Sequence, residues 1–94
     1  MNQIEKDFVN RRLNDMKENI IASYTDGEKT ITLKYRINDE LNMKSFIVSD
    51  NNDLFALFYL NRTLPHDRAY SLAFEDARKV YNKYVPDDEA LPFN

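Results

Sequence analysis

The most apolar run of the sequence, Leu54 to Leu60, constrains the fold most, because a soluble chain must cover such a run with other elements. Asp50-Asn51-Asn52-Asp53 stands directly before it, and side-chain oxygens of Asp and Asn accept the unpaired N–H groups of a first helical turn. Leu, Phe and Ala also lack the β-branching that favours strands. The run therefore predicts a short helix, buried between other elements, that ends before Pro65.

The segments on either side of this run show clear periodicities. Apolar residues at helical spacing predict a first helix over about residues 3 to 23, with Gly27 at its end. Strict alternation predicts two strands, 29–37 and 44–49, joined as a β-hairpin. A second helical stripe predicts a helix from Pro65 to the residue before Pro86, with its apolar face formed by Tyr70, Ala73, Phe74, Ala77, Val80, Tyr81 and Tyr84.

The element order helix, strand, strand, helix, helix predicts an α+β fold in which the helices pack on one face of the β-hairpin. Residues 1–85 are expected to form this single domain, and residues 86–94 an acidic C-terminal tail. Both outer edges of the hairpin are expected to be open. We therefore expect a homodimer formed through the hairpin edges, because a second copy could pair with the free backbone groups.

Composition argues against several classes of function. The chain has no cysteine and one glycine, which excludes disulfides, thiolate zinc sites and glycine-rich phosphate-binding loops. His66 is the only histidine, and Glu75 and Asp76 are adjacent on a helix and so diverge. We therefore expect no enzymatic activity, no cofactor and no metal. The first residues lack a basic stretch followed by an apolar one, so a cytoplasmic location without a membrane contact is expected.

Charge is unevenly distributed along the chain. All 13 lysines and arginines, and all but three of the 16 acidic residues, lie within residues 1–85, so the body is neutral. A neutral body disfavours nucleic acid as a partner. The alternative function is nonetheless a single-stranded nucleic-acid-binding accessory protein that uses the outer hairpin face through Lys34 and Arg36, extended by Arg11 and Arg12.

The tail combines acidic and apolar residues beyond the last helix. The candidate partner-binding residues are Asp87, Asp88, Glu89, Leu91 and Phe93. This segment resembles the acidic tip of bacterial single-stranded-DNA-binding proteins, and the resemblance covers only the tail. It implies that the three acids supply electrostatic attraction to a partner and that Leu91, Pro92 and Phe93 supply the anchor. In that family the phenylalanine is terminal, whereas here Asn94 follows.

A second interpretation of the tail is an acidic, solubilising end whose Phe93 folds back on the body. Because its two prolines prevent helix continuation, deletion of the tail is expected to leave the melting temperature nearly unchanged. The function predicted from the sequence is a small non-enzymatic protein-interaction module, an adaptor or inhibitor of a larger cytoplasmic complex. Abundant Asn, Lys, Ile and Tyr indicate an AT-rich coding sequence, which suits a phage or plasmid product that acts on a host complex.

Overall fold

The predicted hairpin forms the centre of the fold. In the computed structural model, which describes residues 16–92, strand β2 spans Lys29–Asn38 and strand β3 spans Met43–Ser49. The two strands are antiparallel, and Leu33, Phe46 and Val48 are fully buried on one side of them. This side is called the inner face of the sheet, and the opposite side the outer face. The prediction of a hairpin over these two segments is confirmed.

A further strand, β1 (Met16–Asp26), lies where the sequence predicts the second half of the first helix. It pairs antiparallel with β2, and the turn between them places Gly27 at φ 63°, a backbone conformation that glycine adopts without strain. The helix prediction is therefore wrong from residue 16 onward. Its remaining part, residues 3–15, lies outside the described residues.

The helix prediction for β1 failed because an irregular register interrupts the alternation that is typical of a strand. Ile20 and Tyr24, four residues apart, would share one face of a helix, and they would also share one face of a regular strand. The register of β1 shifts between Ile20 and Ala22, so that Ile20 is exposed on the outer face while Tyr24 packs at the inner one. The β-branched and aromatic residues of this segment favour an extended conformation.

The apolar run itself forms strand β4 (Leu54–Tyr59), which pairs antiparallel with β3. The prediction of a short buried helix is wrong here. Asp50 explains the error, because its carboxylate caps a turn and not a helix: Oδ1 accepts hydrogen bonds from the N–H groups of Asn52 at 2.8 Å and Asp53 at 2.7 Å. The same chemistry serves a helix N-terminus or a strand-connecting turn.

The Asp50 turn gives stability a measurable dependence on pH. The two N–H donors hold the pKa of the Asp50 carboxyl below its ordinary value of 3.8. A carboxyl whose pKa is lowered by folding stabilises the folded state at higher pH, and this contribution is lost as the pH falls through the lowered pKa. Urea unfolding between about pH 5 and about pH 2 should therefore show a larger loss for the wild type than for Asp50→Asn, whose amide accepts the same bonds without titrating. Equal losses would contradict this assignment.

Helix α1 (His66–Tyr84) covers the inner face of the sheet and contacts β2, β3 and β4. Its small residues Ala69, Ala73 and Ala77 are buried and bring the helix close to the strands. The predicted apolar stripe is confirmed, although Tyr84 is half exposed and stacks on Phe55 with ring centroids 4.0 Å apart. His66 is exposed in the first turn.

Aromatic rings fill the space between the helix and the sheet. Phe46 lies at the centre, with its ring centroid 5.0 Å from Tyr35, 4.9 Å from Tyr70 and 5.5 Å from Phe74. Tilted and edge-on contacts of this kind add to the stabilisation from area burial alone. Burial, and then the neighbouring Tyr70, raise the pKa of the Tyr35 hydroxyl.

The fold is α+β, as predicted, but the predicted element order is wrong. Within residues 16–92 the order is four strands, then α1, then a 3₁₀ turn at Asp87–Glu89. The sheet order is β1-β2-β3-β4, with α1 on one face. Both outer edges of the hairpin are thus occupied within the chain. The edges that a second copy could reach belong to β1 and β4, and a homodimer stays a prediction.

Candidate functional site

Among residues 16–92, strand β4 is an edge strand, although it is the most apolar stretch of the chain. On the outer face, Leu54, Leu57 and Tyr59 are 62%, 37% and 54% exposed. Leu72 of α1, also 47% exposed, lines a groove together with Leu57 and Tyr59. These four side chains are called the β4 surface. Contiguous exposed apolar groups of this kind mark sites of interaction more often than single exposed leucines do.

The backbone on the open side of β4 has free hydrogen-bonding groups. The N–H of Leu60 donates to the carbonyl of Lys44 at 2.9 Å, so this pair is hydrogen-bonded across β3 and β4. In an antiparallel ladder such pairs alternate with pairs that are not bonded to each other. The register then directs the N–H and C=O groups of Leu57 and Tyr59 away from β3, where no described residue pairs with them.

A groove runs along this open edge, between β4 and α1. Its volume is about 300 Å³, and its apolar lining comes from both elements. Leu57, Phe58 and Tyr59 line the strand side, and Leu72 and Ala73 line the helix side. Leu64, in the segment that connects β4 to α1, also lines the groove. Asp76, exposed on α1, is the one acidic residue among the described residues that line the groove. The groove thus combines apolar surface, free backbone groups and one negative charge.

The predicted nucleic-acid-binding residues Lys34 and Arg36 lie on the outer face of β2, where a carboxylate meets both. Arg36 Nη2 donates to Glu18 Oε1 at 2.9 Å, and Lys34 Nζ is 3.8 Å from Glu18 Oε2. Glu18 therefore offsets part of the positive charge that a nucleic acid backbone would require. Arg11 and Arg12 lie outside the described residues. The nucleic-acid alternative stays a prediction.

The predicted tail folds back against α1. The Asn82 side chain donates to the carbonyl of Leu91 at 3.1 Å and accepts from its N–H at 2.8 Å. The buried Arg78 guanidinium donates to the carbonyl of Pro92 at 2.8 Å. Leu91 is partly buried and packs against the core. Residues 91–92 are therefore anchored to the body of the protein by both polar and apolar contacts.

The tail residues do not form a single continuous site. Asp87, Asp88 and Glu89 are exposed in the 3₁₀ turn, whereas Leu91 faces the body. Glu89 lies near enough to the core that it adds to burial in raising the pKa of the Tyr81 hydroxyl. Phe93 lies outside the described residues. Docking of a partner by the tail stays a prediction, and Leu91 would first have to leave its contacts.

Sequence reasoning missed the β4 surface because it assigned the whole apolar run to the interior. Length carries a usable signal, since apolar runs of four to eight residues between polar turns are typical of strands, and helices are longer. Polar turn residues flank the run on both sides, which also favours a strand. They are Asp50-Asn51-Asn52-Asp53 and Asn61-Arg62-Thr63. No sequence signal distinguishes an edge strand from a central one here, because apolar residues occupy both faces of β4.

Comparisons of this chain with protein-family models, with characterised proteins and with solved structures found no match. Within residues 16–92, no helix is long and apolar enough to cross a membrane. In the same part of the chain, no three histidine, aspartate or glutamate side chains are grouped so that they could hold a metal ion.

Proposed function

We propose that this protein is a non-enzymatic protein-interaction module, an adaptor or inhibitor of a larger complex, and that its contact site is the β4 surface. The observation that carries the proposal is that the most apolar run of the chain forms an edge strand with Leu54, Leu57 and Tyr59 exposed. Burial of these side chains by a partner would remove apolar area from water, which is the main driving force of protein association.

The position of the β4 surface also supports this function. It lies on regular elements, a strand and a helix, whose geometry is fixed by the core, so a partner would meet it with little reorganisation. Natural proteins usually protect an edge strand with charged residues, proline or a covering element. Strand β4 has no charged residue and no proline within Leu54–Tyr59, and no described element covers its edge. An unprotected edge of this kind supports the proposal that a partner covers β4.

The test is affinity capture from a cell lysate with the full chain, compared with Leu57→Lys. We expect Leu57→Lys to lose the captured protein by about tenfold or more, because a charge would be buried at the contact. Leu41→Lys is the matched control, since Leu41 is also exposed but lies in the β2–β3 turn. Edge strands tolerate lysine and Leu41 is exposed in a turn, so both variants should keep their melting temperature. Identical captured sets for all three proteins would contradict the proposal.

A further inference from the structure

We propose that the groove between β4 and α1 receives an extended segment of a partner protein, which adds to β4 as a fifth strand and places a lysine or arginine opposite Asp76. The inference rests on the proposed function and names the chemistry of the partner. Addition of a strand to an open sheet edge is a recurring mode of peptide recognition, in which backbone bonds give affinity and side-chain pockets give specificity.

Backbone geometry supplies the first argument. Leu57 and Tyr59 each direct one N–H and one C=O to the open side of β4, in the spacing that an added strand would match. Only an extended chain presents alternating donors and acceptors along its length, since a helix uses these groups internally. An apolar helix docked on the same edge would bury the free groups of Leu57 and Tyr59 without partners, at a substantial cost.

The two faces of the edge supply the second argument. Side chains of an added strand would alternate between the groove and the outer face of the sheet. Those on the side of α1 would contact Phe58 and Leu72, and those on the outer face would lie beside Leu57 and Tyr59, whose side chains also line the groove. Both environments are apolar, so the partner segment should carry apolar residues at successive positions over part of its length, as β4 itself does.

Charge distinguishes a partner segment from a second copy of this chain. Asp76 lines the groove and forms no ion pair with another described residue. A two-fold pairing of β4 with β4 would bring a second Asp76 to the same seam, and like charges that face each other at an interface are disfavoured. A basic side chain on a different protein would instead form an ion pair with Asp76 in a partly desolvated position.

The experiment selects octapeptides from a displayed random library on the full chain and then uses the selected synthetic peptides as probes. We expect the selected sequences to combine apolar residues with a lysine or arginine. In two matched versions of one peptide, alternate backbone nitrogens are methylated: one set at the odd positions, the other at the even positions. Because only alternate residues of an added strand direct their N–H groups to β4, one version should lose affinity by about tenfold or more and the other should retain it.

Protein variants test the position of the peptide. Leu72→Ala should weaken binding by about tenfold, and Leu41→Ala, outside the groove, should not. Asp76→Asn should weaken binding several-fold and reduce its dependence on salt, whereas Asp67→Asn, exposed in the first turn of α1, should change neither. All four variants are made at exposed positions, so thermal unfolding can verify that they fold.

Three results of the peptide experiments would overturn the proposal. These are failure to select any binding peptide, equal effects of the two methylation patterns, and binding that is unaffected by Leu72→Ala. Sedimentation of the full chain as a dimer that Leu57→Lys dissociates would assign the edge to a second copy and would also overturn it. If Leu57→Lys abolishes capture from the lysate but the methylated peptides bind equally, the contact site stands and strand addition does not.

Discussion

Phe46→Ala should lower the free energy of unfolding by about 3–5 kcal/mol, the range measured when large core side chains are truncated. Phe46 is completely buried at the centre of the sheet, and its ring contacts Tyr35, Tyr70 and Phe74. Its removal would leave a cavity that these three rings, one held by β2 and two by α1, could fill only in part. Urea unfolding followed by circular dichroism measures the change.

Leu41→Ala provides the comparison for Phe46→Ala. Leu41 is 58% exposed in the β2–β3 turn, so its truncation should change the unfolding free energy by less than about 0.5 kcal/mol. A loss below about 1 kcal/mol at Phe46 would mean that the helix does not pack on the sheet as described.

Deletion of residues 86–94 should lower the free energy of unfolding by about 3 kcal/mol, which reverses the expectation drawn from the sequence. The deletion removes the packing of Leu91 on the core and leaves Asn82 without its two hydrogen bonds to Leu91. It also removes the carbonyl of Pro92, which accepts from the buried guanidinium of Arg78. Thermal and urea unfolding of the full and shortened chains give the measurement.

Charge and packing in the tail can be separated with a matched variant. Replacement of Asp87 and Asp88 by Asn removes two charges but keeps Leu91 and its contacts, and both acids are exposed. This double variant should keep the wild-type stability to within about 0.5 kcal/mol. A loss in the double variant as large as that in the deletion would show that the charges, and not the contacts of Leu91, account for the effect of the deletion.

The parts of the fold that could be predicted are those in which pattern and burial agree. Strand β2 alternates Ile31 and Leu33 with polar residues because only one face is covered by α1. Helix α1 shows its stripe because one side faces the sheet and the other faces water. In both elements the order of apolar and polar side chains follows the difference between the buried and the exposed environment.

The parts of the fold that could not be predicted lack this difference between a buried and an exposed face. Strand β4 is apolar on both faces, so its sequence carries no alternation, and Asp50 caps a turn with the same groups that would cap a helix. The candidate site could not be located for a related reason. Exposure of Leu57 and Tyr59 depends on which strands become edges, and strand order is set by tertiary pairing that local sequence does not record.

The strand order β1-β2-β3-β4 means that every strand pairs with its neighbour in sequence. Each pairing closes only a short loop, so the entropy lost before each ladder forms is small, and topologies dominated by such local contacts fold rapidly. Synthesis proceeds from the N-terminus, so the complete sheet can emerge from the ribosome before His66–Tyr84 does. During that interval both faces of β4 are uncovered, Phe58 as well as Leu57. The nascent chain therefore exposes both apolar faces of β4 until α1 has been synthesised and packs on the sheet.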